Sequence, residues 1–493
     1  TLRTCPVIQK GRTMDKTYLI SQSTSLSLVI VISLIFTVLG LYHSNKFKGI
    51  NNYLTANRNI GLFSLTTSLV ASALGAWILF GPAAAATWGG IGAVIGYALG
   101  TAFPMIFLIY LGKKIRTEFP KGSSLIEFMR KKFGKSLFKL ILFMTIFYMF
   151  IFLCAEVTAV AVLINYISGT ELWVTALIVL LATLTYTLYG GLRASIFTDN
   201  IQMIVIGILL LISISYILSY TGNTFSFEYI KQKNPQLLSS SYIPSYTAGL
   251  TFFIAVAATN LFHQGNWQRV YAAKNYKTLK QSLIISFFII IPIVFFMGFT
   301  GMVSFSIDPS QRADLGFFTL LLKEQTQTLS LLIITLGLAL TISTVDTLVN
   351  AISSLFVVDG KATFNLSKKT DYLKLSKYFI IIISLVSFFI ASKGFDILYL
   401  FLLADLFCCA FVYTVFYSFY NKDVNERTAY VAIIIGLVGG FLLFPFPDFS
   451  KSLLVGGLMS KEVFSPFITQ SLLFLSFVVA TFLPAIILRL KKN

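Results

Sequence analysis

Leu340-Thr341-Ile342-Ser343-Thr344-Val345-Asp346-Thr347-Leu348-Val349-Asn350 lies inside an apolar run from about Leu329 to Val358. As a helix rising 1.5 Å per residue, that run is long enough to cross a bilayer. Yet it carries hydroxyls and a carboxylate at mid-depth. Ser343, Asp346, Thr347 and Asn350 fall at i, i+3, i+4 and i+7 and so share one helix face. Thr344 is one step round from Ser343, so the two hydroxyls can converge. Oxygen-only donors of this kind suit a hard cation such as Na⁺ better than a soft metal. Interhelical hydrogen bonding alone would account for the hydroxyls. A carboxylate in hydrocarbon is costly unless it is paired, solvated or bound to an ion. Asp346 therefore makes the stretch read as a site.

Working outward, the chain of 493 residues is 56% hydrophobic and 12% charged, with a mean hydropathy of +0.83. That excludes a soluble protein. Cys5, Cys154, Cys408 and Cys409 have no metal-ligand spacing, and His43 and His263 cannot build a zinc site by themselves. The loops offer no nucleophile–base pair, metal cluster or phosphate-binding glycine loop, so an enzyme is not expected.

Apolar runs near 20 residues predict an all-α polytopic membrane protein with about thirteen transmembrane helices. They fall at 25–43, 62–84, 89–112, 137–166, 172–189, 195–219, 246–263, 280–305, 328–358, 376–392, 396–420, 428–446 and 466–488. Residues 1–13 are polar and unpatterned, and Met14 reads as the natural start, so the leader is set aside. With the N-terminus outside, the inward-facing segments carry 27 of the 38 Lys and Arg. This excess sets the orientation: N-terminus outside, C-terminus cytoplasmic, in the plasma (inner) membrane. The net charge of +19 is then a topology signal for a chain in a lipid bilayer, and no nucleic-acid partner is expected.

Two spans are interrupted. The second contains Ala71-Ser72-Ala73-Leu74-Gly75-Ala76 and ends at Gly81-Pro82. The seventh turns polar at Thr259-Asn260-Leu261-Phe262-His263-Gln264-Gly265-Asn266. Irregular backbone at depth is tolerated where it lines a cavity or is buried in protein. Paired broken helices point to a transporter site at the membrane midplane. Ala71 to Asn260 is 189 residues and Glu156 to Ser343 is 187, which suggests two five-helix repeats at 62–219 and 246–420. An odd number of helices makes the second copy inverted. Around this core lie an extra helix and loop at 14–61, an extracellular loop at 220–245 and two C-terminal helices within 421–493. Gly92, Gly96 and Gly100 in the third span read as a packing face.

Tyr189-Gly190-Gly191-Leu192-Arg193-Ala194-Ser195-Ile196-Phe197-Thr198-Asp199-Asn200-Ile201-Gln202 resembles the sodium:solute symporter family. So do Trp267-Gln268-Arg269-Val270-Tyr271-Ala272-Ala273-Lys274 after the seventh span and Ser343-Thr344-Val345-Asp346-Thr347 in the ninth. The resemblance covers essentially the whole chain from Met14. It implies a principal sodium site from the carbonyls of Ala71, Leu74 and Leu340 and the hydroxyls of Ser343 and Thr344. A second sodium site, found in some members, would draw on Asp199, Ser343, Asp346 and Thr347. Asp346 is a carboxylate where those members have serine. Ala73 stands where proline-type members have aspartate.

The resemblance puts substrate between the broken helices, near Gly75, Trp77, Asn260, Phe262, His263 and Gln264. Trp77 reads equally as a packing aromatic, and His263 as a substrate ligand or a neutral hydrogen-bonded residue. Glu156 is an intramembrane carboxylate that would bind a cationic substrate, carry protons or pair with a neighbouring helix. Asp405 raises the same question. The expected function is sodium-coupled symport, importing a small polar solute (an amino acid, urea, a sugar or another small metabolite) by alternating access. Na⁺ is the coupling ion. A proton-coupled transporter and an inactive or sensor homologue of the same fold stay open, although a fused signalling kinase is not expected with four residues after Arg489.

Overall fold

Apolar segments in hydrocarbon satisfy their backbone groups internally by forming helices. The computed structural model describes residues 18–490 apart from 48, 325, 361–362, 364–370, 422–423, 450 and 455–465. The expected leader at 1–13 lies outside the described residues. Among the described residues the only β-pairings are two isolated bridges, Ile60 with Ala273 and Pro445 with Ser452; the rest of the regular structure is helical.

In chain order the principal helices are α1 (Gln22–Lys46), α2 (Leu62–Ala73), α3 (Gly81–Glu118), α4 (Lys135–Ser168), α5 (Leu172–Thr221), α6 (Ile243–Phe262), α7 (Gln264–Ala272), α8 (Tyr276–Ile307), α9 (Gln327–Leu355), α10 (Tyr372–Ala391), α11 (Ile397–Tyr420), α12 (Glu426–Leu443) and α13 (Pro466–Leu490). Among the described residues eleven helices are long and apolar enough to cross a membrane, against the thirteen expected. The difference arises in two places. The expected spans 172–189 and 195–219 both fall in α5, a helix of 50 residues. At 1.5 Å per residue it would be about 75 Å long, more than twice a hydrocarbon core of about 30 Å. Gly191, at φ 56° and ψ −151°, breaks its helical course, and a β-carbon there would strike the Tyr53 side chain. The expected span 62–84 is divided: α2 has 12 residues, and Gly81-Pro82 opens α3 instead of closing the second span. Proline's fixed φ suits the first turn of a helix.

α3 packs on both α6 and α8, α9 packs on α4 and α5, and α11 lies against α4 and α6. α1 packs on α5, and α12 and α13 pair against α11. The glycine row of α3 is the packing face expected of it. A β-carbon on Gly92, Gly96 or Gly100 would run into the backbone of α6 at Ser245, Gly249 or Phe252. Large apolar side chains such as Leu211, Phe288 and Ile382 face outward, whereas Glu156, Asp199, Arg269, Asp346 and Asp405 are buried. That is the polarity of a protein whose periphery is solvated by hydrocarbon.

Candidate functional site

α2 stops because Leu74 leaves the helix at φ −111° and ψ 86°. Gly75 is extended, and Ala76–Leu79 resume as a single 3₁₀ turn before α3. A helix end leaves its last carbonyls without intrahelical partners. The Leu74 amide reaches the Val70 carbonyl, but among the described residues no donor reaches the carbonyls of Ala71, Ser72 or Ala73. Glu156 caps the other side of the break: its Oε2 accepts the Ala76 amide at 2.9 Å. A methyl on Gly75 would land on that carboxylate, which would have to shift to admit it. Of the three roles open to Glu156, the structure displays the pairing with a neighbouring broken helix, and its Oε1 is buried without a hydrogen-bond partner.

The second break is satisfied differently. His263 alone separates α6 from α7, at φ −59° and ψ 108°. The Asn260 carbonyl accepts Asn266 Nδ2 at 2.9 Å, and the Leu261 carbonyl accepts Trp267 Nε1 at 2.7 Å. The polar run after Ala258 thus serves its own backbone, while the first break leaves buried carbonyl oxygens without a donor among the described residues.

Beside the first break runs α9. Ala71, Leu74, Leu340, Ser343 and Thr344 are all fully buried. Ser343 Oγ donates to Asp199 Oδ1 at 2.6 Å, and Asp199 Oδ2 accepts Ser68 Oγ at 2.6 Å. Asp199 therefore ties α9 to α2 one turn before Ala71. A hydroxyl has one donor and two lone pairs, so with its proton on Asp199 the Ser343 oxygen keeps lone pairs for a cation. Thr344 Oγ1 donates to the Leu340 carbonyl at 3.1 Å, which juxtaposes two more of the expected ion ligands.

The residue that sequence reading missed is Arg269. It falls between the expected spans 246–263 and 280–305, but α7 folds into the protein and Trp267, Gln268 and Arg269 are fully buried. The signal was present: Trp267, Val270 and Tyr271 follow helical spacing for a buried face. Arg269 Nη2 donates to Asp199 Oδ2 at 2.7 Å and to Thr347 Oγ1 at 3.0 Å. Its Nε donates to Ser68 Oγ at 2.7 Å and its Nη1 to the Gly265 carbonyl at 3.0 Å. Asp346 lies next to this pair. Its Oδ2 accepts Tyr186 Oη at 2.6 Å and Thr198 Oγ1 at 3.0 Å, and its Oδ1 accepts Ser195 Oγ at 2.8 Å. The expected one-face stripe of α9 thus meets α5 and α7. The four residues expected at a second sodium site, Asp199, Ser343, Asp346 and Thr347, come together, with a guanidinium among them.

Between the breaks lies a small cavity of about 20 Å³. Trp77, Asn260 and His263, of the expected substrate residues, line it, together with Ser72, Ala73, Tyr97, Phe152, Val256, Thr259, Phe401 and Asp405. Gly75, Phe262 and Gln264 stand outside that lining. Gly75 abuts Glu156, and Phe262 packs on Phe411 with ring centroids 4.2 Å apart. Gln264 Nε2 donates to the Ser123 carbonyl at 3.0 Å. Both ring nitrogens of His263 are buried without a hydrogen-bond partner among the described residues.

Comparison with known proteins agrees with this fold. The model of the sodium:solute symporter family matches residues 53–436. The spermidine transporter DUR31 of Candida albicans is 27% identical over 381 residues, 76% of this chain and 71% of that protein. Sodium/glucose cotransporter 4 of Mus musculus is 23% identical over 482 residues, covering 84% of this chain and 68% of its own. Among solved structures, a substrate-bound, outward-open Na⁺-coupled sialic acid symporter shares the fold at a TM-score of 0.69 and 17% identity, with 94% of this chain and 97% of that one covered. With its two broken helices, its all-helical architecture and a family match over most of its length, the chain is a multi-pass membrane protein of the sodium:solute symporter family and a transporter, not an enzyme.

Proposed function

We propose that the protein imports a small polar organic solute together with Na⁺ by alternating access, from the plasma membrane, with its N-terminus outside and its C-terminus in the cytoplasm. The observation that carries this reading is the first helix break. Among the described residues the carbonyls of Ala71, Ser72 and Ala73 receive no donor, and one turn away Asp199 links α2 to Ser343. Carbonyls of Ala71, Leu74 and Leu340 with the hydroxyls of Ser343 and Thr344 would form an oxygen shell of the kind a hard cation takes. With the Thr344 proton on the Leu340 carbonyl, both oxygens keep lone pairs for that shell.

The coupling is to one Na⁺. A second ion at Asp199, Asp346 and Thr347 would have to displace Arg269, which already supplies a positive charge to Asp199 and a donor to Thr347. Two five-helix repeats, 62–219 and an inverted 246–420, would rock about the cavity between the breaks. Solute sits in that cavity, against Trp77, Asn260 and His263. Relatives named for glucose and for spermidine indicate that the side chains of the cavity, not the scaffold, select the solute.

The test is thermal unfolding of the purified protein in Na⁺ against K⁺. A ligand that binds only the folded state stabilises it by about 2.7 kcal/mol at a hundred times its Kd. A midpoint that rises with Na⁺ and not with K⁺, and rises further with a transported solute, is expected. No Na⁺ effect would overturn sodium coupling and leave proton coupling or an inactive homologue.

A further inference from the structure

Asp405 belongs to no part of the ion site, yet it is buried in α11 at 4% exposure and lines the central cavity. One of its oxygens accepts Thr259 Oγ1 at 2.5 Å. Among the described residues no Lys, Arg or His forms an ion pair with it, and the cavity lining holds no Lys or Arg. A carboxylate at this depth calls for a partner that lowers the cost of its charge.

What faces it is aromatic. Trp77 and Tyr97 are stacked with centroids 5.4 Å apart, and Phe401 meets Trp77 edge-on at 6.4 Å. Phe152 meets Phe401 edge-on at 4.7 Å. Phe401 and Asp405 are one helical turn apart on α11 and so share a face. The faces of aromatic rings are electronegative and attract cations, and a carboxylate does the same. His263, buried at 3% exposure, adds two ring nitrogens without partners, and the neutral imidazole has one nitrogen that accepts an N–H.

From this cavity we infer that the transported solute is a small organic cation, a primary or secondary amine, with its ammonium held between Asp405 and the rings of Trp77 and Phe401, while Tyr97 is stacked between Trp77 and Phe252 and backs the site. The inference rests on the symport reading above for the cavity's being the solute site. The alternatives fit less well. A neutral polyol would leave the Asp405 charge uncompensated, and an anion would be repelled by it. A zwitterion would need a home for its own carboxylate. The cavity holds no Lys or Arg, and the amide at the start of the 3₁₀ turn after Gly75 is already taken by Glu156.

The experiment is binding to the full-length purified protein, read as a shift in unfolding midpoint with putrescine, myo-inositol, urea and proline, each in Na⁺ and in K⁺. Putrescine should raise the midpoint of the wild-type protein. Asp405→Asn should weaken that binding by about 30-fold or more, as expected when one partner of a buried charge pair is removed. Phe401→Leu should weaken it severalfold through the lost ring. A Na⁺-dependent midpoint in Asp405→Asn equal to the wild type's shows that the variant is folded and its ion site intact. Absence of a putrescine shift in the wild-type protein overturns the inference, whatever the other solutes do. So does putrescine binding that is unchanged in a folded Asp405→Asn. The comparison of Na⁺ with K⁺ decides the symport reading separately, so an amine that binds equally in both would support the cation site and refute sodium coupling.

Discussion

Replacing Arg269 with methionine keeps an apolar stem of similar length and removes the guanidinium. The structure defines what is lost: hydrogen bonds to Asp199 and Ser68 at 2.7 Å, and to Thr347 and the Gly265 carbonyl at 3.0 Å. Asp199 keeps its hydroxyl donors Ser68 and Ser343 but has no compensating charge. Breaking a buried pair from one side costs about 3–5 kcal/mol. Extending the length dependence of unfolding entropy to a chain of this size, roughly 1–2 °C per kcal/mol, gives a fall of about 3–10 °C in midpoint. Asp199→Asn alone should cost a similar amount, because it strands the arginine. The double variant Asp199→Asn with Arg269→Met removes both charges and should recover at least about half of either loss. Thermal unfolding of the four proteins in detergent measures this cycle. Costs that simply add would refute the compensated pair. The cycle has a second readout in Na⁺. Arg269→Met leaves two carboxylates without the guanidinium, so added Na⁺ should stabilise it more steeply than the wild type. An identical Na⁺ response would show that the arginine does not stand in for a second ion.

At the ion site, Ser343→Ala with Thr344→Ala should raise the Na⁺ concentration for half-maximal uptake at least about tenfold, since hydrogen-bond-strength contacts to a charge contribute about 1.5–3 kcal/mol each; uptake kinetics at unchanged Na⁺ affinity would remove both hydroxyls from the shell. At the first break, Glu156→Gln retains an oxygen for the Ala76 amide and should leave uptake within about threefold of wild type, as for a neutral hydrogen bond of about 0.5–1.5 kcal/mol. Gly75→Ala forces a methyl onto that side chain and should abolish uptake. Transport lost in Glu156→Gln would instead make the carboxylate's charge part of the cycle.

How much of this was legible in the sequence depends on whether the signal was local. The helices were, because hydrocarbon dictates both their length and their composition. So were the breaks: Leu74-Gly75 and His263 lie inside the interrupted stretches singled out from small and polar residues. The stripe of α9 was legible too, since i, i+3, i+4 and i+7 fix a face whatever lies opposite. Helix counting failed where the chain does not stop. Gly191 changes direction without ending the hydrogen-bonded run of α5, and Pro82 begins a helix at a place where proline suggested an ending. The cavity lining was only half legible. Asn260 and His263 could be placed from the break, but Phe152 and Phe401 belong to helices distant in sequence, and nothing local marks one aromatic among the 48 phenylalanines as facing inward.

Arg269 shows why the missed residue matters most for coupling. His263 lines the cavity and immediately precedes α7, and Arg269 lies six residues further on, within that short helix. Arg269 holds Asp199, and Asp199 accepts the hydrogen bond of Ser343 beside the first break. That break in turn contributes Ser72 and Ala73 to the cavity. In the proposed symport, solute and ion would therefore meet one circuit of contacts, through α7 on one side and the α2 break on the other. A solute that shifts His263 must move α7 as a unit, because Trp267 and Asn266 lock it to the carbonyls of Leu261 and Asn260. Any such movement alters the grip of Arg269 on Asp199, and with it the orientation of the Ser343 hydroxyl. Reciprocity of linked binding then requires that Na⁺ change solute affinity by the same factor that solute changes Na⁺ affinity. In Arg269→Met the circuit is cut at one point while both sites keep their ligands. Solute and Na⁺ should then still bind, but each with an affinity insensitive to the other.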